Sequence, residues 1–277
     1  MRVVQPARQT PGTGYSGIGL KKHMKGLLKR NRLKINQDLK ASEKRRFFSP
    51  ATFGDSKVTI PAITKYCRGN LIDIGCGDMP YRDVIARYVS RYDSLDVERR
   101  VPGVTFVSDV QDMDVVADES YDSAVCFEVL EHVPDPIKAL SEIHRILKEN
   151  GVLILTAPHL SRVHEAPYDF FRYTQYGLVS LLKNTGFNIL EIKTRGGIFS
   201  FLGHQVSTIF LCLFWHLSVI KDIVFFFNKW VVVKLCYYLD RVLGPGPFPL
   251  GYTAVVQKQD ASLKFSPSPA QSPEPLA

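Results

Sequence analysis

The chain has 277 residues, 45% hydrophobic and 22% charged, with a net charge of +8, enough for one α/β core of about two hundred residues with additions. Its five cysteines (Cys67, Cys76, Cys126, Cys212 and Cys236) show no paired spacing and no His-rich companions, which excludes a structural metal motif and points to a reducing compartment. The N-terminus lacks an apolar core segment, so no signal peptide is expected and the expected location is cytoplasmic.

Charge is uneven along the chain. Residues 1–50 hold thirteen Lys or Arg against two acids, Asp38 and Glu43, a balance of +11 that leaves −3 for the remainder. In this basic arm Leu27, Leu28, Leu33 and Ile35 stand among the lysines and arginines. It reads as a solvated segment, a nucleic-acid contact or a surface for anionic lipid. Next, Asn70 to Ile74 is an apolar strand that runs into Asp73-x-Gly75-x-Gly77. A buried strand ending in such a turn builds a cofactor cradle, because glycine permits tight backbone geometry and close approach. Pro80 stands where a dinucleotide fingerprint would carry its third glycine, and no P-loop motif occurs, so NAD, FAD and P-loop nucleotide sites are disfavoured. Tyr92 to Asp96 reads as a second strand ending in an acid that can accept both hydroxyls of a ribose. A third strand starts at Val104 and carries Asp109 at its tip, and a fourth runs from Tyr121 to Glu128.

After the fourth strand comes Glu128-Val129-Leu130-Glu131-His132-Val133, then Pro134-Asp135-Pro136 opening a helix to about Lys148, and a fifth strand from Val152 to Thr156. Phe187 to Ile192 makes a sixth strand and Leu250 to Val256 a last one. Together these features resemble class I S-adenosylmethionine (AdoMet)-dependent methyltransferases over roughly residues 66–194 and again 250–258. The resemblance implies an α/β, doubly wound (Rossmann-like), seven-stranded, mostly parallel sheet, from which this chain departs by a C-terminal apolar helical insertion before the last strand. Together with charge and composition, it gives an expected division into a basic arm (1–50), an AdoMet-binding core (51–195), the insertion (196–249), the last core strand (250–260) and a disordered Pro/Ser tail (261–277). It also implies that Asp73, Gly75, Cys76, Gly77, Asp96, Asp109, Val110 and Glu128 hold the cofactor, AdoMet. For Asp109, capping its own turn is nearly as good a reading as adenine contact.

On the acceptor side the segment after the fifth strand supplies His159, His164 and Arg172 as catalytic candidates and Glu165, Asp169 and Tyr173 as substrate-binding ones. Methyl transfer is an in-line displacement that needs positioning and, for a hydroxyl acceptor, a base. His159 or His164 fits the base and Arg172 an acidic group of the acceptor. Alternatively Asp169 and Arg172, spaced i to i+3, form a local ion pair that fixes the loop. No metal-ligand set is legible. The expected acceptor is a small or lipid- or glycan-linked molecule methylated at oxygen. A nucleic-acid methyltransferase using the basic arm, and a non-catalytic membrane-associated protein of this fold, are the alternatives.

Gly196 to Ile220 is 25 residues without Asp, Glu, Lys or Arg, long enough to cross a bilayer. A second apolar run from Ile223 to Tyr238 is interrupted by Asn228, Lys229 and Lys234. Residues 196–243 therefore read as a hairpin dipping into a membrane, a lid or dimer face, or a two-span anchor. Because the last strand must rejoin the sheet, the insertion has to leave and return on one side of it.

Overall fold

The computed structural model describes residues 26, 30–35, 37–39, 43–217, 220–244 and 246–259. The Pro/Ser tail and Leu27 and Leu28 of the arm lie outside the described residues. Seven strands, β1 (Asn70–Ile74), β2 (Arg91–Asp96), β3 (Phe106–Val107), β4 (Tyr121–Phe127), β5 (Leu147–Pro158), β6 (Phe187–Arg195) and β7 (Gly251–Lys258), form one sheet. Their order is β3-β2-β1-β4-β5-β7-β6. Only β7 runs antiparallel, against both β5 and β6. The central strands are apolar on both faces, as a sheet covered by helices on both sides requires.

One face is covered by α1 (Pro50–Tyr66) and α2 (Arg82–Ile85), which bury Ile63 and Ile85 against Leu71, Val125 and Ile154. On the other, α3 (Pro136–Ile146) and α4 (Gln175–Asn184) bury Leu140, Ile143, Leu178 and Leu182 against Ile72, Leu153 and Leu155. Side-chain caps start them: Ser49 and Thr52 form a reciprocal box at α1, Asp135 caps α3 and Thr174 caps α4. Several expected boundaries move, the fifth strand's most, since β5 runs from Leu147 to Pro158 rather than from Val152 to Thr156. α3 stops at Ile146 because Leu147 already pairs with Tyr121 in the sheet. The third strand contracts to two residues, and β6 extends to Arg195.

The insertion is a helical unit of α5 (Ile198–Phe214), α6 (Ile220–Phe227), a π-helical stretch (Asn228–Lys234) and α7 (Leu235–Leu243). Among the described residues no helix is long and apolar enough to cross a membrane, which corrects the two-span reading. The reason is local. α5 ends after 17 residues, and its small and polar positions Ser200, Gly203, Ser207 and Thr208 are buried against protein. A Cβ at Gly203 would lie 2.7 Å from Cys236 Sγ and 2.9 Å from Pro50 Cγ, so three elements converge there. Asp240 accepts from the backbone N–H groups of Gly197, Phe199 and Ser200 at 2.8–2.9 Å and so caps α5.

Part of the basic segment belongs to this unit. Helical residues 30–35 and 37–39 bury Ile35 and Leu39 against Leu211, Trp215 and Phe225. Trp215 Nε1 donates to Asp38 (2.9 Å), Asn31 Nδ2 to the Cys212 carbonyl (2.7 Å), and Asn228 Nδ2 to the Phe47 and Phe48 carbonyls (3.1 Å). The unit leaves the sheet at Arg195 and returns at Gly251, residues paired across β6 and β7. It therefore stands on the carboxyl edge of the parallel strands, the edge where doubly wound folds bind ligands.

Candidate active site

The turn after β1 is shaped by its two glycines. Gly75 N–H and Cys76 N–H both donate to the Leu95 carbonyl (2.8 and 3.1 Å), and Gly77 N–H donates to Asp96 Oδ2 (2.8 Å). Both glycines have positive φ, 65° and 51°. A Cβ at Gly75 would sit 2.4 Å from Val129 Cγ2, whereas one at Gly77 would meet nothing within 4 Å. Gly75 is thus required by protein packing, while Gly77 faces open space. Cys76 is buried, and burial pushes its thiol up to about 12, so it is a neutral filler.

Two buried carboxylates face this turn. Asp73 accepts from Tyr92 Oη at 2.6 Å. Burial pushes its pKa up to about 7, against the lowering effect of the Tyr92 bond, and nearby Asp96 adds to the rise. Asp96 ends β2, is 5% exposed, and keeps Oδ1 for no closer partner than Glu98 N–H at 3.4 Å. Buried, under-compensated carboxylates beside an open glycine suit a ligand that brings its own positive charge and hydroxyl donors. AdoMet has both, so the residues present fit it. The next two expected cofactor residues are occupied. Asp109 is exposed and its Oδ1 accepts from Gln111 N–H (2.8 Å), capping its own turn, while Val110 is buried in the core with Met113.

Glu128 directly follows β4 with φ 55° and anchors to Arg195 Nη2 at 2.5 Å. Arg195 also donates to Asp55 Oδ1 (2.6 Å) and the Ala157 carbonyl (3.0 Å), and Asp55 accepts from Tyr81 Oη. Burial works against the Arg195 charge, but the carboxylates of Glu128 and Asp55 outweigh it and hold the guanidinium protonated.

The segment after β5 forms a wall with the turn after β4. The Glu131 carbonyl accepts from Phe170 N–H (2.7 Å), and His132 Nδ1 lies 2.6 Å from the Tyr168 carbonyl. A carbonyl cannot donate, so Nδ1 carries a proton, and in the neutral ring Nε2 is the nitrogen that can accept one. The Glu131 side chain is fully buried, and neither of its carboxyl oxygens has a hydrogen-bond partner. Burial, reinforced by Glu128, holds its carboxyl well above the usual carboxylate range. The His132 and His164 rings meet edge to face at 4.8 Å, and ligand-type atoms of Glu131, His132 and His164 all lie within 4.8 Å of one another. A fold contact across 32 residues makes this donor set, which no sequence spacing announces.

Several acceptor-side expectations change in this wall. Arg172 has no free donor for an acceptor: its five N–H groups go to Ser161, Asp169 (twice), Phe171 and Arg162. Asp169 is spent likewise, on Arg172 and His164 N–H, and the Arg172 bonds hold its carboxyl well below the ordinary range. The ion-pair reading of these two residues is the one the geometry supports. Tyr173 is buried and donates to the Leu130 carbonyl (3.0 Å), a structural tie. Nδ1 of His159 lies 2.9 Å from the Tyr173 carbonyl and its ring rests near Tyr252, and Glu165 is exposed. Arg195, Asp55, Glu131 and His132 were not among the expected site residues. The signal for Glu131 and His132 was present, since they complete the Glu-x-x-Glu-His run. Arg195 carries no local signal.

Comparison with known proteins follows the same line. The family described as "Methyltransferase domain" matches residues 20–192. A ubiquinone biosynthesis O-methyltransferase of Xanthomonas campestris pv. campestris is 27% identical over 99 residues, 31% of this chain and 41% of that protein. The match to such relatives thus spans about two fifths of their length. A protein of Mycolicibacterium smegmatis named as an S-adenosylmethionine-dependent methyltransferase is 27% identical over 162 residues, covering 53% of this chain and 62% of its own. Among solved structures, a chain from the complex between the Haloferax volcanii Trm112 methyltransferase activator and a methyltransferase superposes with a TM-score of 0.51 at 15% identity, covering 84% of this chain and 98% of its own. With its family match across more than half the sequence, its strand order and its glycine turn, the chain belongs to the methyltransferase-domain family of class I AdoMet-dependent methyltransferases.

Proposed function

We propose that the protein transfers the methyl group of AdoMet to a hydroxyl oxygen of a small or lipid- or glycan-linked acceptor. One observation carries the choice of oxygen: a histidine with a free ring nitrogen stands next to a buried, partnerless carboxyl at the acceptor wall. Bound AdoMet supplies an electrophilic methyl on a sulfonium. The chain's own residues do the rest. Asp73 meets the cationic end of the cofactor, Asp96 the ribose, and the backbone at Gly77 lets the ligand approach. His132 Nε2 takes the acceptor's proton, with the buried Glu131 carboxyl 3.8 Å from that nitrogen. A cavity of about 390 Å³ lies beside the glycine turn, lined by Leu33, Ile35, Leu39 and Phe48 with Arg45, Thr52 and Asp78. Its apolar wall suits a hydrophobic acceptor moiety. The Xanthomonas relative's name as an O-methyltransferase supports the same reading.

Two tests follow. AdoMet affinity should depend on pH through Asp73. Its folded pKa is raised to about 7, so below that pH the carboxyl is protonated and a cationic ligand must displace the proton. Affinity measured by calorimetry is expected to fall by up to about tenfold per pH unit below 7 and to level off above it. Asp73→Asn should bind more weakly and lose the pH dependence; an unchanged profile would remove Asp73 from the cofactor site. Second, protein incubated with methyl-labelled AdoMet and lipid or glycan extracts should yield a methyl ether. His132→Gln should lower kcat by about 10²–10⁴ while leaving AdoMet affinity intact. A product methylated at nitrogen, or undiminished turnover by His132→Gln, would overturn the reading.

A further inference from the structure

The helical unit displays an apolar face that none of the described residues covers. Along α6, the π-helical stretch and α7, Ile223, Phe226, Trp230, Leu235, Tyr238 and Val242 are all exposed, Ile223 at 66% and Val242 at 81%. Their spacing is three, four, five, three and four residues. The five-residue step falls across the π-helical stretch Asn228–Lys234, whose wider turn absorbs it and keeps the face on one side. Leu202, Val206 and Ile209 form a second exposed stripe on α5.

This face has the composition of a bilayer interface. Lys234 Nζ lies 3.4 Å from the centroid of the Trp230 ring and Lys229 Nζ 5.5 Å from it. Aromatic rings with lysine stems alongside are the pattern that settles at the headgroup level, with ammonium groups reaching outward. Charge on the unit has one dominant sign. Residues 220–243 carry Lys221, Lys229, Lys234 and Arg241 against Asp222 and Asp240, and Asp240 is turned inward to cap α5. Exposed Arg30, Arg32, Lys34 and Arg45 belong to the basic segment packed on the same helices. Arg162, on the acceptor-side loop, is held below the ordinary arginine range by burial first and by the like charge of Arg32 second, which extends the basic zone toward the site wall. A second copy of the chain would bring the same positive charge against itself.

We propose that the exposed face of α6 and α7 docks in the plane of an anionic lipid bilayer, with Arg30, Arg32, Lys34 and Arg45 as its electrostatic flank. The helices lie on the surface and do not cross it, as their length and the buried polar positions of α5 require. Since the unit stands on the carboxyl edge of the sheet, docking brings the candidate active site to the headgroup layer. The inference rests on the helical unit alone and holds whichever atom is methylated.

Full-length protein is to be floated with vesicles of phosphatidylcholine alone and of phosphatidylcholine with phosphatidylglycerol, while light scattering reports the oligomeric state without lipid. Flotation with the anionic vesicles, lost at high salt, is expected, together with a blue shift of Trp230 emission that Trp230→Phe removes. The variant Phe226→Glu/Trp230→Glu changes two exposed side chains and should reduce the vesicle-bound fraction at least tenfold, with AdoMet affinity and melting temperature kept as evidence of folding. The proposal is overturned if the protein ignores anionic vesicles, if the double variant binds them equally, or if that variant instead abolishes a dimer. Acceptor assays are separate from all of these readouts, so failure of the methylation reading would leave the docking result standing.

Discussion

Gly77→Ala protein is expected to fold and yet to lose AdoMet. A Cβ there would touch no protein atom within 4 Å, so no packing is disturbed. The cost to folding is the left-handed backbone at φ 51°, about 1–2 kcal/mol for a residue with a Cβ, which is a shift of about 2–8 °C in melting temperature for a core of this size. The same Cβ would project into the open space where the ligand must approach the protein backbone, next to the N–H that Asp96 holds. Calorimetric affinity for AdoMet should therefore drop by about a hundredfold or more, a loss of about 2.7 kcal/mol. Gly75→Ala supplies the contrast. There the Cβ collides with Val129 at 2.4 Å on top of a φ of 65°, so the melting temperature should fall further than for Gly77→Ala. Normal AdoMet binding by well-folded Gly77→Ala protein would mean that the space beside Gly77 is not the cofactor's.

That contrast also marks how much the sequence disclosed. Local chemistry was readable: Asp73-x-Gly75-x-Gly77 after an apolar strand, Asp96 at the end of the next, and the seven-stranded, mostly parallel sheet all stand in the structure. Return of the insertion to the same edge was readable too, and the pairing of Arg195 with Gly251 shows it. What was not readable depends on who already holds each polar group. Arg172 looks like an anion ligand in one dimension, but the loop folds so that its own carbonyls and Asp169 take every donor. The charge-free run from Gly196 to Ile220 has the length of a membrane span, but Ser200, Ser207 and Thr208 are buried against protein and the helix stops at Phe214. Glu131 is the converse case. Its place in a common motif suggests nothing about its oxygens, and only the packing of Phe170 and His132 around it shows a carboxyl sealed without a partner.

Arg195→Met should be the most damaging single change to stability. The guanidinium joins four elements at one point: Asp55 of α1, Glu128 at the end of β4, the Ala157 carbonyl of β5, and its own β6 where the helical unit departs. Methionine fills a similar volume, so the cost is electrostatic. Removing one partner of a buried ion pair strands the others and costs about 3–5 kcal/mol, here about 6–20 °C in melting temperature. Asp55 retains Tyr81 as a donor, whereas Glu128 keeps only its half-exposed position for relief. Arg195→Met/Glu128→Gln should therefore recover a measurable part of the loss, and the double-mutant cycle gives the coupling between the two. Glu128 also closes the edge that carries Asp96 and Gly77, so AdoMet affinity of Arg195→Met protein, measured well below its melting temperature, should fall and should return in part with Arg195→Lys. If stability falls without any change in affinity, Arg195 is a strut for the departing helices alone. If both move together and Glu128→Gln restores neither, the critical partner is Asp55, and the link between α1 and β6 is what shapes the site.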